Sequence, residues 1–212
     1  MLTGTTRREA YRLLCDFGLL AIIVRFLSDV REPIGLFAAV SEPTISFGLA
    51  LAATVMDVRD GRLLEEDEIR RASSAMRKAL RISNDEAEML EGSLAFGYLL
   101  TPANDAALRV ATLKRFLARP TAPQAQTLMA SLGRIGIMYG RVQLVLERLN
   151  DLKKTDVAPP SLITGDDLTA AGLQPGPLFK RILDQVYDEQ LEGHISSSEQ
   201  ALELALRLAN GE

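Results

Sequence analysis

The stretch Pro160-Ser161-Leu162-Ile163-Thr164-Gly165-Asp166-Asp167-Leu168 decides how this chain is read. It continues through Ala171-Gly172-Leu173-Gln174-Pro175-Gly176-Pro177 and Phe179-Lys180 to Gln190-Leu191-Glu192-Gly193. Thr164 precedes an acidic first turn, as a helix N-cap does. Gly172 closes that short helix. Pro175-Gly176-Pro177 makes a turn and starts the next helix with proline in its first position. Leu178, Ile182, Leu183 and Val186 give that helix an apolar stripe, and Gly193 ends it. Ser197 with Gln200 reads as a capping box before the last helix.

The same punctuation carries a resemblance. The runs Ile163–Leu168, Ala171–Pro177, Phe179–Val186, Gln190–Gly193 and Glu199–Ala205 span about fifty residues. They resemble the C-terminal tail of bacterial CCA-adding tRNA nucleotidyltransferases and related poly(A) polymerases. The segment Arg7–Leu27 is similar to the part of that family that directly follows its catalytic half, where a helix ends in a Gly-Leu-Leu sequence (here Gly18-Leu19-Leu20). The resemblance therefore touches both ends of the chain.

Working outward, strong helix formers dominate and β-branched runs are rare, so an all-α fold is expected. Thr5 or Thr6 starts a helix whose apolar positions are Ala10, Leu13, Leu14 and Phe17, and Gly18 ends it. A second apolar helix covers Leu19–Leu27, and Arg31–Pro43 reads as a loop. Thr44–Val58 is apolar almost all round and should be buried. A charged amphipathic helix follows over Glu65–Leu80. Ser83-Asn84-Asp85-Glu86 is a capping box for a helix to Leu100. Thr101-Pro102 starts another, ending near Arg119-Pro120. Pro123 begins a run that Gly133, Gly136 and Gly140 break into two helices. The expected organisation is an elongated multi-helical body, 1–154, a linker, 155–160, and a small helical tail, 161–212.

Composition limits the function classes. The 212 residues carry 24 basic and 28 acidic side chains, a net charge of −4. A strongly basic, nucleic-acid-coating surface is excluded, and any RNA contact must come from local patches. The tail holds only Lys180, Arg181 and Arg207 as basic residues. Cys15 is the one cysteine, so no internal disulfide and no cysteine-based zinc cluster can form; it reads as a small buried thiol. The apolar run Leu19–Val24 is too short to span a membrane. A cytoplasmic location is the expectation.

In the family it resembles, the catalytic half precedes this region and uses paired carboxylates to hold two metals. Nothing here matches that half. Asp166 and Asp167 are neighbours at a helix start and read as charges complementing its dipole. Catalytic and metal residues are therefore expected to be absent. Mg and CTP or ATP are expected only with the missing catalytic domain. The chain starts close to where that half would end, so a piece of a longer protein or a truncated homologue is expected. Glu66-Asp67-Glu68-Ile69-Arg70 spells the family's base-templating string, but it stands after the Gly-Leu-Leu helix instead of before it. It reads as a charged helix start. Met56-Asp57 falls where some relatives carry a His-Asp metal pair. Methionine replaces the histidine, and His194, the one histidine, reads as an exposed or C-capping residue.

The resemblance implies that this helical half holds tRNA or another RNA. The best phosphate site is the Pro-Gly-Pro turn, where Gly176 precedes a helix N-terminus that carries Lys180 and Arg181. Thr164 and Gly165 form a second N-terminus. Lys153 and Lys154 stand in the linker region, Lys114, Arg115 and Arg119 at a helix end, and Arg134 and Arg141 beside the glycines. Tyr98, Tyr139 and Tyr187 are isolated and read as packing, which fits recognition of RNA shape through its backbone. The rival expectation is a helical protein-interaction scaffold that has lost RNA binding.

Overall fold

The computed structural model describes residues 2–25, 27, 30–101 and 108–210. Every regular element among them is helical. In chain order they are α1 (Arg7–Asp16), α2 (Leu19–Ile23), α3 (Leu36–Ala39), α4 (Phe47–Asp57), α5 (Glu66–Leu80), α6 (Asn84–Leu94) and α7 (Gly97–Leu100). Then come α8 (Val110–Leu117), α9 (Ala122–Arg134), α10 (Tyr139–Leu152), α11 (Gly165–Ala170), α12 (Pro177–Glu192) and α13 (Ser198–Ala209). The all-α fold class is what the composition implied.

The chain divides into two compact units. One contains α1–α7, α9 and the start of α10; the other contains α8, the end of α10 and α11–α13. This cuts the chain differently from the expected division into 1–154 and 161–212. Residues 108–118, read as part of the body, cluster with 148–210. The expected linker, 155–160, also lies within the second unit. Its end is stitched to α12: the Tyr187 hydroxyl donates to the Pro159 carbonyl at 3.0 Å, and Gln190 Nε2 donates to the Pro160 carbonyl at 2.8 Å.

The first unit is built on α4. Ser46 caps it by accepting the Leu49 N–H at 3.2 Å, and every residue from Gly48 to Asp57 is buried. A helix that is apolar all round must be covered on all sides. The covering comes from α3, α6 and α9. Gly48 permits a close approach to α6: a Cβ there would lie 2.6 Å from Met89 Cβ and 2.7 Å from the Glu86 carbonyl oxygen.

Local signals placed most ends correctly. The Ser83/Glu86 capping box starts α6, and Glu65 with Glu68 makes a second one at α5. The glycine-punctuated run does break, at Gly136 (φ 84°) and Met138 (φ 50°), separating α9 from α10. Four expectations need correction. The helix from Ser83 does not reach Leu100 but stops at Leu94. Phe96 is 1% exposed, and α7 restarts at Gly97. Arg31–Pro43 contains α3, whose Leu36 N–H is capped across the fold by Asp57 Oδ1 at 2.7 Å. In α1, Leu13 and Phe17 are exposed rather than core. Gln200 does not complete a capping box on Ser197; its Oε1 accepts the Ser196 N–H at 2.8 Å, while Ser197 Oγ accepts the Gln200 N–H at 3.3 Å. The helix expected from Thr101-Pro102 begins outside the described residues, as does the end of the one expected over Leu19–Leu27.

In the second unit Ile163, Leu168, Ile182, Val186, Ala201 and Ala205 form a small core, with Leu173, Phe179 and Ile195 around it. The apolar stripe read on α12 supplies its buried face. Leu178 is the exception, at 45% exposed.

Candidate nucleic-acid interface

The second unit holds most of the basic residues singled out from sequence, and their surroundings divide them. Gly176 is the N-cap of α12 and adopts an extended backbone, with Pro177 first in the helix. Its carbonyl accepts the Phe179 N–H at 3.0 Å. Lys180 and Arg181 follow in the first turns. Both are exposed, and among the described residues neither has an ion-pair or hydrogen-bond partner on its side chain. Two uncommitted cations behind an α-helix N-terminus are electrostatically suited to a phosphate.

Further along α12 the charge reverses. Asp184, Asp188, Glu189 and Glu192 face α8, and α8 answers with arginines. Arg115 Nε reaches Asp188 at 2.6 Å, and its terminal nitrogen lies 3.6 Å from Asp184; its guanidinium also lies over the Tyr187 ring at 5.1 Å. Arg109 lies 3.5 Å from Glu189 and 3.3 Å from Glu192. Glu192 also accepts the Ala111 N–H at 3.0 Å, capping α8. Arg115 is therefore occupied in holding α8 against α12, and four of the nine carboxylates of 161–212 are matched by Arg109 and Arg115. Lys114, the next residue back, is half-buried and has no side-chain partner among the described residues.

Lys153 is exposed without a side-chain partner among the described residues. Lys154 pairs with Asp151 at 2.9 Å, both well exposed. Such a surface pair contributes little, and a phosphate can compete for it. Thr164 is differently placed. Its N–H and Oγ1 both donate to Asp167 Oδ2, at 2.7 and 2.9 Å, and Gly165 opens the helix. These bonds hold the Asp167 carboxyl below the usual carboxylate range, the Thr164 N–H being the main cause. Acidic side chains already serve this N-terminus.

Other arginines hold backbone. Arg134 donates to the Ala39 carbonyl at 2.8 Å and Ser41 Oγ at 3.0 Å. Arg141 donates to the Leu99 and Thr101 carbonyls at 3.2 and 3.4 Å. Arg119 donates to the Ala95 carbonyl at 3.3 Å and lies over the Tyr98 ring. Of the three tyrosines, Tyr139 is not packed but 60% exposed. Arg70 pairs with Glu66 and Asp67, one helical turn back. A cleft of about 700 Å³ beside them is lined by Glu65, Glu66, Glu88 and Glu91 with Arg70 and Arg119, a lining that repels phosphate.

Of two buried charged residues, Asp57 lies in the helix expected to be buried, and Arg7 was not anticipated. Arg7 is 3% exposed and donates to the carbonyls of Gly4, Val40, Glu42 and Pro43. Nothing in its sequence neighbourhood marks it. Asp57 is fully buried, and burial raises its pKa against the pull of the N–H groups at Ile34, Leu36 and Phe37. Its Oδ2 and the Tyr11 hydroxyl both lack a hydrogen-bond partner of good geometry. Cys15 is half-buried, and burial raises its thiol pKa, so it is a poor nucleophile. His194 is 65% exposed, with Nδ1 2.5 Å from Glu189. Among the described residues, no three of His, Cys, Asp and Glu come together as a metal site, and no helix is long and apolar enough to cross a membrane.

Comparison with known proteins yields one local similarity. Over 48 residues, 23% of this chain, it is 40% identical to an A-adding tRNA nucleotidyltransferase of Geobacter sulfurreducens. The matched stretch is 6% of that protein's length. No family model and no solved structure matches.

Proposed function

We propose that this chain is an RNA-holding helical portion of a tRNA nucleotidyltransferase, CCA-adding or poly(A)-adding, equivalent to the neck, body and tail that follow the catalytic domain. The similarity to the A-adding enzyme carries this reading. The exposed, unpartnered Lys180 and Arg181 at the start of α12 support it. In this reading the RNA is gripped through phosphates, with Lys153, Lys154 and Lys114 as further contacts. Gly176 shapes the α12 N-terminus. Thr164 and Gly165 contribute only if RNA displaces the Asp167 carboxylate.

The chemistry would belong to a nucleotidyltransferase domain, which would bring Mg and CTP or ATP. The chain's own residues do not fit the paired metals, because Asp166 and Asp167 sit in one helical turn and Asp167 is bonded to Thr164. The division of labour is then positioning here and transfer elsewhere.

The test is fluorescence anisotropy of labelled tRNA against the chain at two salt concentrations. Saturable binding that weakens steeply with salt supports the proposal. One observation favours a second reading, a helical interaction scaffold: Arg7, Arg115, Arg134 and Arg141 are all committed to internal partners. Absence of binding at tens of micromolar in low salt, both for the chain alone and for the chain joined to a nucleotidyltransferase domain, would favour the scaffold.

A further inference from the structure

Two polar atoms in the first unit are buried and left over. Asp57, at the end of α4, is 0% exposed, and Tyr11, on α1, is 5% exposed. The Leu36 N–H donates to Asp57 Oδ1 at 2.7 Å, but Oδ2 has no hydrogen-bond partner among the described residues. The Tyr11 hydroxyl has none either. It is near enough to draw the carboxyl's pKa down against the larger effect of burial, yet the two do not meet in good hydrogen-bond geometry. Stacking on Phe37, with ring centroids 4.0 Å apart, fixes the Tyr11 ring in place. Buried polar atoms are nearly always paired, so two orphans side by side call for a partner.

Both side chains line a cavity of about 390 Å³ beside α1 and α3. That volume lies in the range of small-molecule sites. Its charge is uneven. Glu9 and Glu32 stand at the exposed rim with no ion-pair partner among the described residues. The two arginines of the lining are drawn elsewhere: Arg8 donates to the Val40 carbonyl at 3.1 Å, and Arg12 lies 4.0 Å from Asp16. Cys15, in the same wall, registers the negative field. Burial raises its thiol pKa first, and the charges of Asp57, Asp16 and Glu32 raise it further.

We propose that this cavity binds a small organic cation, an ammonium or guanidinium, whose N–H groups reach Asp57 Oδ2 and the Tyr11 hydroxyl at its floor. The chemistry follows from what the floor lacks. An ionised Asp57 Oδ2 only accepts, and a hydroxyl accepts as well as donates, so the ligand must bring donors. A cation also brings the charge that lets a buried carboxyl ionise. Glu9 and Glu32 favour the same sign at the mouth. A bare metal ion fits worse, because among the described residues no three His, Cys, Asp or Glu side chains come together as ligands. The cavity is large enough for a whole small molecule, so the ligand is a free one and not a side chain of a protein partner.

The experiment is a nuclear magnetic resonance titration of the isotopically labelled 212-residue chain with n-butylguanidinium chloride. Tetramethylammonium chloride, which has the charge but no N–H, holds the ionic strength constant. The Leu36 amide, bonded to Asp57, and the Tyr11 ring should shift and saturate with a dissociation constant of about 1 mM. Tetramethylammonium alone should leave both in place. Asp57→Asn keeps an acceptor for the Leu36 N–H and should weaken binding about tenfold or more, as loss of a hydrogen bond to a charged group does. Tyr11→Phe keeps the stack on Phe37 and should weaken it about threefold, the effect of a neutral hydrogen bond. The two salts tested on the wild type decide the matter even if a variant fails to fold. No saturable shift at about 20 mM, well above a millimolar dissociation constant, overturns the proposal. So do equal shifts with tetramethylammonium, or a folded Asp57→Asn variant that binds as tightly as wild type. The same guanidinium carried by arginine in a short glycine peptide should bind more weakly than the free molecule. Tighter binding by the peptide would assign the site to a protein partner and overturn the small-molecule assignment.

Discussion

Lys180 and Arg181 differ from the other basic residues in what they lack. Arg7, Arg115, Arg134 and Arg141 each hold a carbonyl or a carboxylate, whereas these two end in solvent. If they grip phosphate, replacing both by alanine should cut tRNA affinity about tenfold and lower the salt slope by roughly two. Arg115→Ala should behave differently, lowering stability rather than changing the salt slope, because its partners are Asp188 and Asp184. Anisotropy titrations of both variants, alongside urea melts, separate the two roles.

Asp57 offers a pH signature at the same scale. Its carboxyl is raised by burial, so the folded chain binds its proton more tightly than the unfolded chain. Stability from this group is present at the acid end and is lost as pH rises from the ordinary carboxylate range through the folded pKa. Asp57→Asn keeps an oxygen for the Leu36 N–H and removes the buried charge. The stability of the variant relative to wild type should therefore increase as pH rises above the ordinary carboxylate range, measured by urea midpoints. A difference independent of pH would show that Asp57 is not titrating there.

At the scale of elements, α4 and α6 approach each other closely at Gly48. A Cβ at Gly48 would press on Met89 and on the Glu86 carbonyl, and backbone cannot retreat as a flexible side chain can. Gly48→Ala should destabilise by about 1–3 kcal/mol through overpacking, despite the better helix propensity of alanine. The denaturation midpoint checks it. The helix ends that were legible are those whose caps act within a turn or so: Ser83 meets Glu86, and Gly193 ends α12 at φ 82°. The start of α3 was not legible, because its cap, Asp57, is 21 residues away.

For the whole molecule, the membership of α8 matters most. Ala111, Leu113 and Phe116 are buried, and Arg109 and Arg115 neutralise the acidic side of α12. A fragment of 161–212 leaves that face uncovered and its carboxylates repelling one another. It should melt below the intact chain and with little cooperativity, and adding α8 back by a short linker should restore a sharp transition. Far-ultraviolet circular dichroism melts of the three proteins decide this. A fragment as stable and cooperative as the intact chain would show that α8 is dispensable to the unit.

The amino-acid sequence alone determines that this chain is helical and where most helices stop, since propensity, glycine and the capping side chains act over a few residues. It also marks Lys180 and Arg181 as basic residues behind a proline-started helix. Only the tertiary structure decides which cations remain uncommitted. Arg115 and Lys180 look alike in sequence, yet one is bound to α12 from α8 and the other has no partner. Tertiary packing likewise leaves Leu13 and Phe17 uncovered although they sit on an apolar stripe. The physical reason is common to both: a side chain's partner is chosen by helices distant in sequence, and no local pattern encodes which face they will cover.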